Sequence, residues 1–175
     1  MIDEALWVAA LTGGMAVLAS WVTSQGNARA ARFQAEASAR VQHLSQIRET
    51  RRSAYLELIE QAHITGELYW RLGDVYAQLT DADAQMARIQ QLRVELRDEF
   101  DPLMHCARVI LVEGPRPVAE AGDAVRRAAS DAKAALWRVS EGQVGARARF
   151  DEAHMGFRSC LDGFIEAARA AIDGS

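Results

Sequence analysis

The stretch RRSAYLELIEQAHITGELYWRLGDVY, residues 51–76, decides the fold. Tyr55, Leu58, Ala62, Thr65, Tyr69, Leu72 and Tyr76 recur at steps of three and four. Leu56, Ile59, His63, Gly66, Trp70 and Gly73 make an adjacent stripe, and Ser53, Glu57, Glu60, Glu67, Arg71 and Asp74 fall on the opposite face. At ~3.6 residues per turn this is a wide apolar arc with a solvated back, the pattern of a helix packed in a bundle. No stretch shows the two-residue alternation of a half-buried strand. With three prolines and abundant Ala, Leu, Arg, Glu and Gln, the chain reads as all-α.

Downstream, Thr80 offers an N-cap with Asp83 three residues on, a variant of the capping box. A second helix carries Met86, Ile89, Leu92, Leu96, Phe100, Leu103, Ala107 and Ile110 inward, with Pro102 removing one internal hydrogen bond. Gly114-Pro115-Arg116-Pro117 is a stop and turn. A third helix follows over about 118–139, with Gly122, Val125, Ala129, Ala132, Leu136 and Val139 inward. After a loop at 140–145, Phe150, Ala153, Phe157, Leu161, Phe164, Ala168 and Ile172 mark a fourth. Connections this short make neighbours antiparallel, giving an up-down bundle of about four helices.

Upstream, a helical pattern begins at Ala28 after a weak interruption at Gly26-Asn27. Ala30, Phe33, Ala37, Arg40, Leu44, Ile47, Arg51, Ala54 and Leu58 alternate by three and four, a heptad seam with arginine interruptions. The first helix therefore outreaches its partners, ~75 Å against ~35–50 Å, and its excess reads as a stalk with no partner in this chain. A seam without a partner predicts a coiled-coil homo-oligomer.

Residues 5–22 carry no charge. Roughly 18 apolar positions span about 27 Å, close to the ~30 Å hydrocarbon core of a bilayer. Trp7 and Trp21 flank the run, where indole rings favour the headgroup region. A buried core helix or an interfacial helix would show a polar stripe, and a signal peptide would show a basic start where Asp3 and Glu4 stand; Val17-Leu18-Ala19 is the one feature that resembles a cleavage site. Ala5, Ala9 and Gly13, with Ala10 and Gly14, repeat small residues at four-residue spacing, which lets membrane helices approach closely. Arg29, Arg32, Arg40, Arg48, Arg51 and Arg52 follow the segment, so the positive-inside rule places the N-terminus outside and the bundle in the cytoplasm of a single-pass inner-membrane protein. The juxtamembrane arginines Arg29, Arg32 and Arg40 also attract anionic membrane lipid, by about 1 kcal/mol each near the surface. The expected organisation is an anchor at 1–27, a stalk at 28–52 and a cytoplasmic bundle at 53–175.

A net charge of −4 argues against nucleic acid as a partner. Cys106 and Cys160 are too few for a disulfide framework and read as small buried hydrophobes. The constellation closest to chemistry is Glu60-x-x-His63 with Asp151-x-x-His154, which echoes the Glu-x-x-His pairs of ferritin-like di-metal bundles. Helical geometry turns those carboxylates to solvated faces and the histidines toward apolar stripes, whereas metal ligands must converge inward. No phosphate loop or nucleophile elbow occurs. No catalytic residue, cofactor or metal is expected.

Arg51-Arg52-Ser53-Ala54-Tyr55 leads into the bundle, residues 109–115 (VILVEGP) form the turn before an Ala-rich helix, and residues 164–169 (FIEAAR) come near the end. Together with the hydrophobic start and Arg-rich stalk, these resemble small actinobacterial membrane-anchored helical-bundle proteins of uncharacterised function. The resemblance implies an anchor and a bundle, and no reaction. The functional expectation is a self-associating, membrane-anchored scaffold that engages a cytoplasmic protein partner. The alternatives are a subunit of a membrane-acting stress or phage-response assembly and, last, the di-metal bundle enzyme.

Overall fold

The computed structural model of the chain describes the backbone of residues 2–174 and, of the side chains, those of Gln34, Glu36 and 38–174. It contains four helices, α1 (Ile2–Gln78), α2 (Ala82–Glu113), α3 (Arg116–Ser140) and α4 (Ala146–Asp173), and no strand among the described residues. The interruption expected at Gly26-Asn27 falls inside α1. Contacts divide the chain into two units, Met1–Ile47 and Arg48–Ser175. Among the described residues no helix is long and apolar enough to cross a membrane. The span expected over 5–22, with Trp7, Gly13, Gly14 and Trp21, lies outside them, as do the side chains of Arg29 and Arg32.

The second unit is the up-down bundle. Tyr55 meets Phe164 edge-on at 6.1 Å between ring centres, while Tyr69 meets Phe150 and Phe157 at 5.7 and 5.6 Å. Rising positions on α1 therefore match falling positions on α4, and the two run antiparallel. Arg51 Nε donates to the Glu113 carbonyl at 3.0 Å and Arg71 pairs with Glu95 at 3.2 Å, so α2 is antiparallel to α1. Gly122 lies against Ile110, and Gln90 Nε2 donates to the Ser140 carbonyl at 3.0 Å, so α3 is antiparallel to α2.

The core follows the apolar periodicity. Tyr55, Leu58, Ala62, Thr65, Tyr69 and Leu72 of α1 are buried, as are all six positions expected to face inward on α3; Tyr76, the last of the α1 stripe, is exposed. On α2, Ile89, Leu92, Leu96, Phe100, Leu103, Ala107 and Ile110 are buried and Met86 is half-buried. On α4, Phe150, Phe157, Leu161, Phe164 and Ala168 are buried, but Ile172 in the last turn is exposed, with 47% of its surface in water. At roughly 1.5–3 kcal/mol for each large apolar side chain removed from water, this set dominates the folding energy.

Three local expectations are corrected. The adjacent α1 stripe faces inward only in part: Ile59 packs half-buried against the core and Gly66 and Gly73 are half-buried, but Leu56, His63 and Trp70 are exposed, and Leu68 and Val75 are buried instead. The buried arc is rotated toward the flank of Arg71, whose partner Glu95 belongs to α2. The N-cap of α2 is Asp81, not Thr80: Asp81 is extended (φ −78°, ψ 126°) and its carboxylate accepts from the Ala84 N–H at 2.8 Å. A carboxylate also complements the positive end of the helix dipole, which a hydroxyl does not. Cys106 is buried as expected, whereas Cys160 is only half-buried.

The turns obey their glycines and prolines. α2 stops at Gly114, whose N–H bonds the Ile110 carbonyl, and Pro115 caps α3, where a missing N–H does no harm. Gly142 and Gly145 adopt φ of +69° and +74°, the left-handed region that admits glycine without strain.

Candidate functional site

Concave surfaces on two sides of the bundle gather polar and aromatic side chains. The first lies between α1 and α4, a cleft of about 320 Å³ lined in part by His63, Glu67, Trp70, His154, Arg158 and Asp162. Gly66 is among its lining residues, and a Cβ there would stand 3.6 Å from the Phe157 ring. The exposed stripe of α1 thus becomes one wall of a cleft rather than part of the core.

His154 is its most constrained polar group. Its ring packs against Tyr69, Trp70 and Phe150 at 5.7, 5.6 and 6.0 Å, and its buried Nε2 has no hydrogen-bond partner. Burial first, then the Arg158 guanidinium, hold its pKa below the ordinary 6.5, with Asp151 opposing. The folded bundle therefore prefers the neutral imidazole. As pH falls below about 6.5 the unfolded chain takes up a proton that the folded chain refuses until a lower pH, so stability is full above that value and declines beneath it. Between about pH 7.5 and about pH 5.5 the unfolding free energy of the wild-type chain should fall further than that of His154→Gln, as read from denaturant unfolding curves. Equal pH dependence in the two would remove His154 from the account.

The cleft brings the two histidines of the Glu-x-x-His and Asp-x-x-His pairs together but not their carboxylates. Glu60 is exposed and does not line the cleft. Asp151 is held by Arg147, whose Nε donates to both carboxylate oxygens at 3.0 and 3.1 Å. Among the described residues no three His, Cys, Asp or Glu side chains gather to hold a metal ion. The donor set that a di-metal bundle needs does not fit these residues. Cys106 offers little nucleophilicity, since burial and then Glu57 push its thiol up, away from the thiolate.

The second surface is a groove of about 540 Å³, lined by residues including Phe100, Ser130, Lys133, Trp137, Arg138 and Glu141. The Lys133 ammonium sits 3.6 Å from the centre of the Phe100 ring, and the Arg93 guanidinium lies 3.7 Å over Trp137. Apart from Phe100, which the helical period marks as inward, sequence reasoning passed over these residues. Their signal is present as Arg93, Arg97 and Asp101 and as Ser130, Lys133, Trp137 and Glu141 at three- and four-residue steps, but only the α2/α3 pairing places the two rows side by side. Of the residues singled out for membrane contact, Arg40 alone has a described side chain, and it is exposed.

No protein family, curated protein or solved structure matches the chain.

Proposed function

We propose that this chain is a membrane-anchored, non-catalytic interaction protein that self-associates through α1 and offers its bundle to a cytoplasmic partner. The exposure of Val41 and Leu44 carries the reading. These large apolar side chains are 68% and 56% exposed, three residues apart on one helix. Leu44 belongs to the heptad seam that runs on to Leu58, which the bundle buries, and Val41 lies beside that seam. A helix that leaves such positions in water is stabilised when a second copy covers them, as a and d residues do in a coiled coil. The membrane part of the proposal rests on the uncharged run at 5–22 and the arginines that follow it.

Native mass measurement of the full-length chain in neutral detergent tests the proposal. The wild-type protein should give a mass of two or more chains, and Val41→Glu with Leu44→Glu should return it to one. A single-chain mass for the wild type at every concentration would sink the self-association reading. Bound metal in the same spectrum would revive the di-metal alternative.

A further inference from the structure

We propose that the α2/α3 groove is a binding site for a phosphate-bearing ligand, with Lys133 and Arg138 as its charged contacts and Trp137 as its apolar wall. The case begins with charge. Lys133 and Arg138 line the groove, Arg93 lies over its Trp137 wall and Arg97 acts on Lys133 from α2, and none of the four has a carboxylate at ion-pair distance among the described residues. Elsewhere on the bundle, arginines such as Arg71, Arg88, Arg126 and Arg147 do have such partners.

Neither Glu141 nor Asp101 forms an ion pair with these cations. Glu141 already accepts from the Trp137 indole N–H at 2.6 Å on one oxygen and from Gln143 Nε2 at 2.9 Å on the other. Asp101 acts on Lys133 at a distance and opposes a lowering that burial and Arg97 together win. The lining itself carries two cations, Lys133 and Arg138, against one carboxylate, Glu141, so the groove is net positive and partly desolvated, and an anion is attracted there more strongly than on an open surface.

The second strand is geometry. Arg93 and Lys133 are held by ring faces rather than by carboxylates, which fixes their position while leaving N–H donors unspent. The Arg93 Nε is buried with no partner, although its Nη1 donates to the Ser140 hydroxyl at 3.3 Å. Ser140 is itself tied across to α2 through Gln90, so the α2/α3 seam beside the groove is interlocked by polar groups. A phosphate, with its several acceptor oxygens and charge near −2, matches several donors around one concavity better than a lone carboxylate does. It can arrive on a soluble phosphoester or on a lipid headgroup, and the chemistry of recognition is the same.

Calorimetric titration of the full-length chain in neutral detergent micelles separates these sources. The probes are ATP, inorganic phosphate and short-chain phosphatidic acid. Saturable binding of ATP or inorganic phosphate marks a soluble ligand; saturable binding of phosphatidic acid alone marks a lipid headgroup. Either supports the site, provided that Lys133→Gln weakens it by about tenfold. Lys133→Arg should keep affinity within about threefold, because the charge survives. Arg138→Gln alters an exposed side chain at the groove edge, and should weaken binding even if Lys133→Gln fails to fold. Arg169→Gln, on α4, should change nothing. Absence of saturable heat with all three probes would overturn the proposal. So would unchanged affinity in both groove variants, or an equal loss in Arg169→Gln.

Discussion

Tyr69→Ala should lower the unfolding free energy of the bundle by about 4 kcal/mol, a large share of the roughly 5–15 kcal/mol that holds an ordinary domain together. Tyr69 is only 1% exposed and stands where three helices meet. Its ring makes edge contacts with Phe150 and Phe157 of α4, and its hydroxyl donates to the Ala129 carbonyl of α3 at 2.9 Å. Burial pushes its phenol well above the ordinary range, so the hydroxyl remains a donor at any physiological pH. The substitution removes the ring, opens a cavity among aromatic neighbours that cannot collapse freely, and breaks the hydrogen bond that joins α1 to α3 at this junction. Tyr69→Phe separates these effects. It keeps the ring and loses the hydroxyl, so it should cost about 1 kcal/mol. Urea unfolding followed by near-ultraviolet circular dichroism measures both. If the two variants cost the same, cavity formation is not the main effect and the three-helix junction is misjudged.

The junction also shows where sequence reading succeeds and where it stops. Tyr69, Phe150, Phe157 and Phe164 were legible as core because their spacing follows the helical period, and a buried face must repeat at that period. Gly114-Pro115 and Gly145 were legible as boundaries because backbone chemistry forces them. Leu56, His63 and Trp70 were misplaced because a stripe beside the core is equally apolar whether it meets a neighbour or a cleft. Only the rotation of α1 toward α2, fixed by Leu68, Val75 and the Arg71–Glu95 pair, separates those cases. The Lys133 groove was invisible for a related reason. Its residues belong to two different helices, and periodicity speaks of one helix at a time.

Gly122 makes the same point in volume. It is buried where α3 meets α2 and α4; a Cβ there would stand 3.1 Å from Ile110 Cγ2 and 3.7 Å from the Phe164 ring. Gly122→Ala should fall within about 1 kcal/mol of wild type, because the gain in helix propensity, about 0.8–1.0 kcal/mol, offsets a shift of a few tenths of an ångström in Ile110. Gly122→Leu has no such compensation. Three further heavy atoms must enter a contact already at its limit, and the cost should be about 3 kcal/mol. The decisive measurement is a double-mutant cycle. Ile110→Ala alone should cost about 3 kcal/mol as a cavity. Combined with Gly122→Leu, the new side chain can occupy that cavity, so the double variant should be more stable than the sum of the singles by at least about 1 kcal/mol. Strict additivity would mean that the added leucine escapes outward, and that Gly122 is set by helix geometry rather than by the close approach of α2.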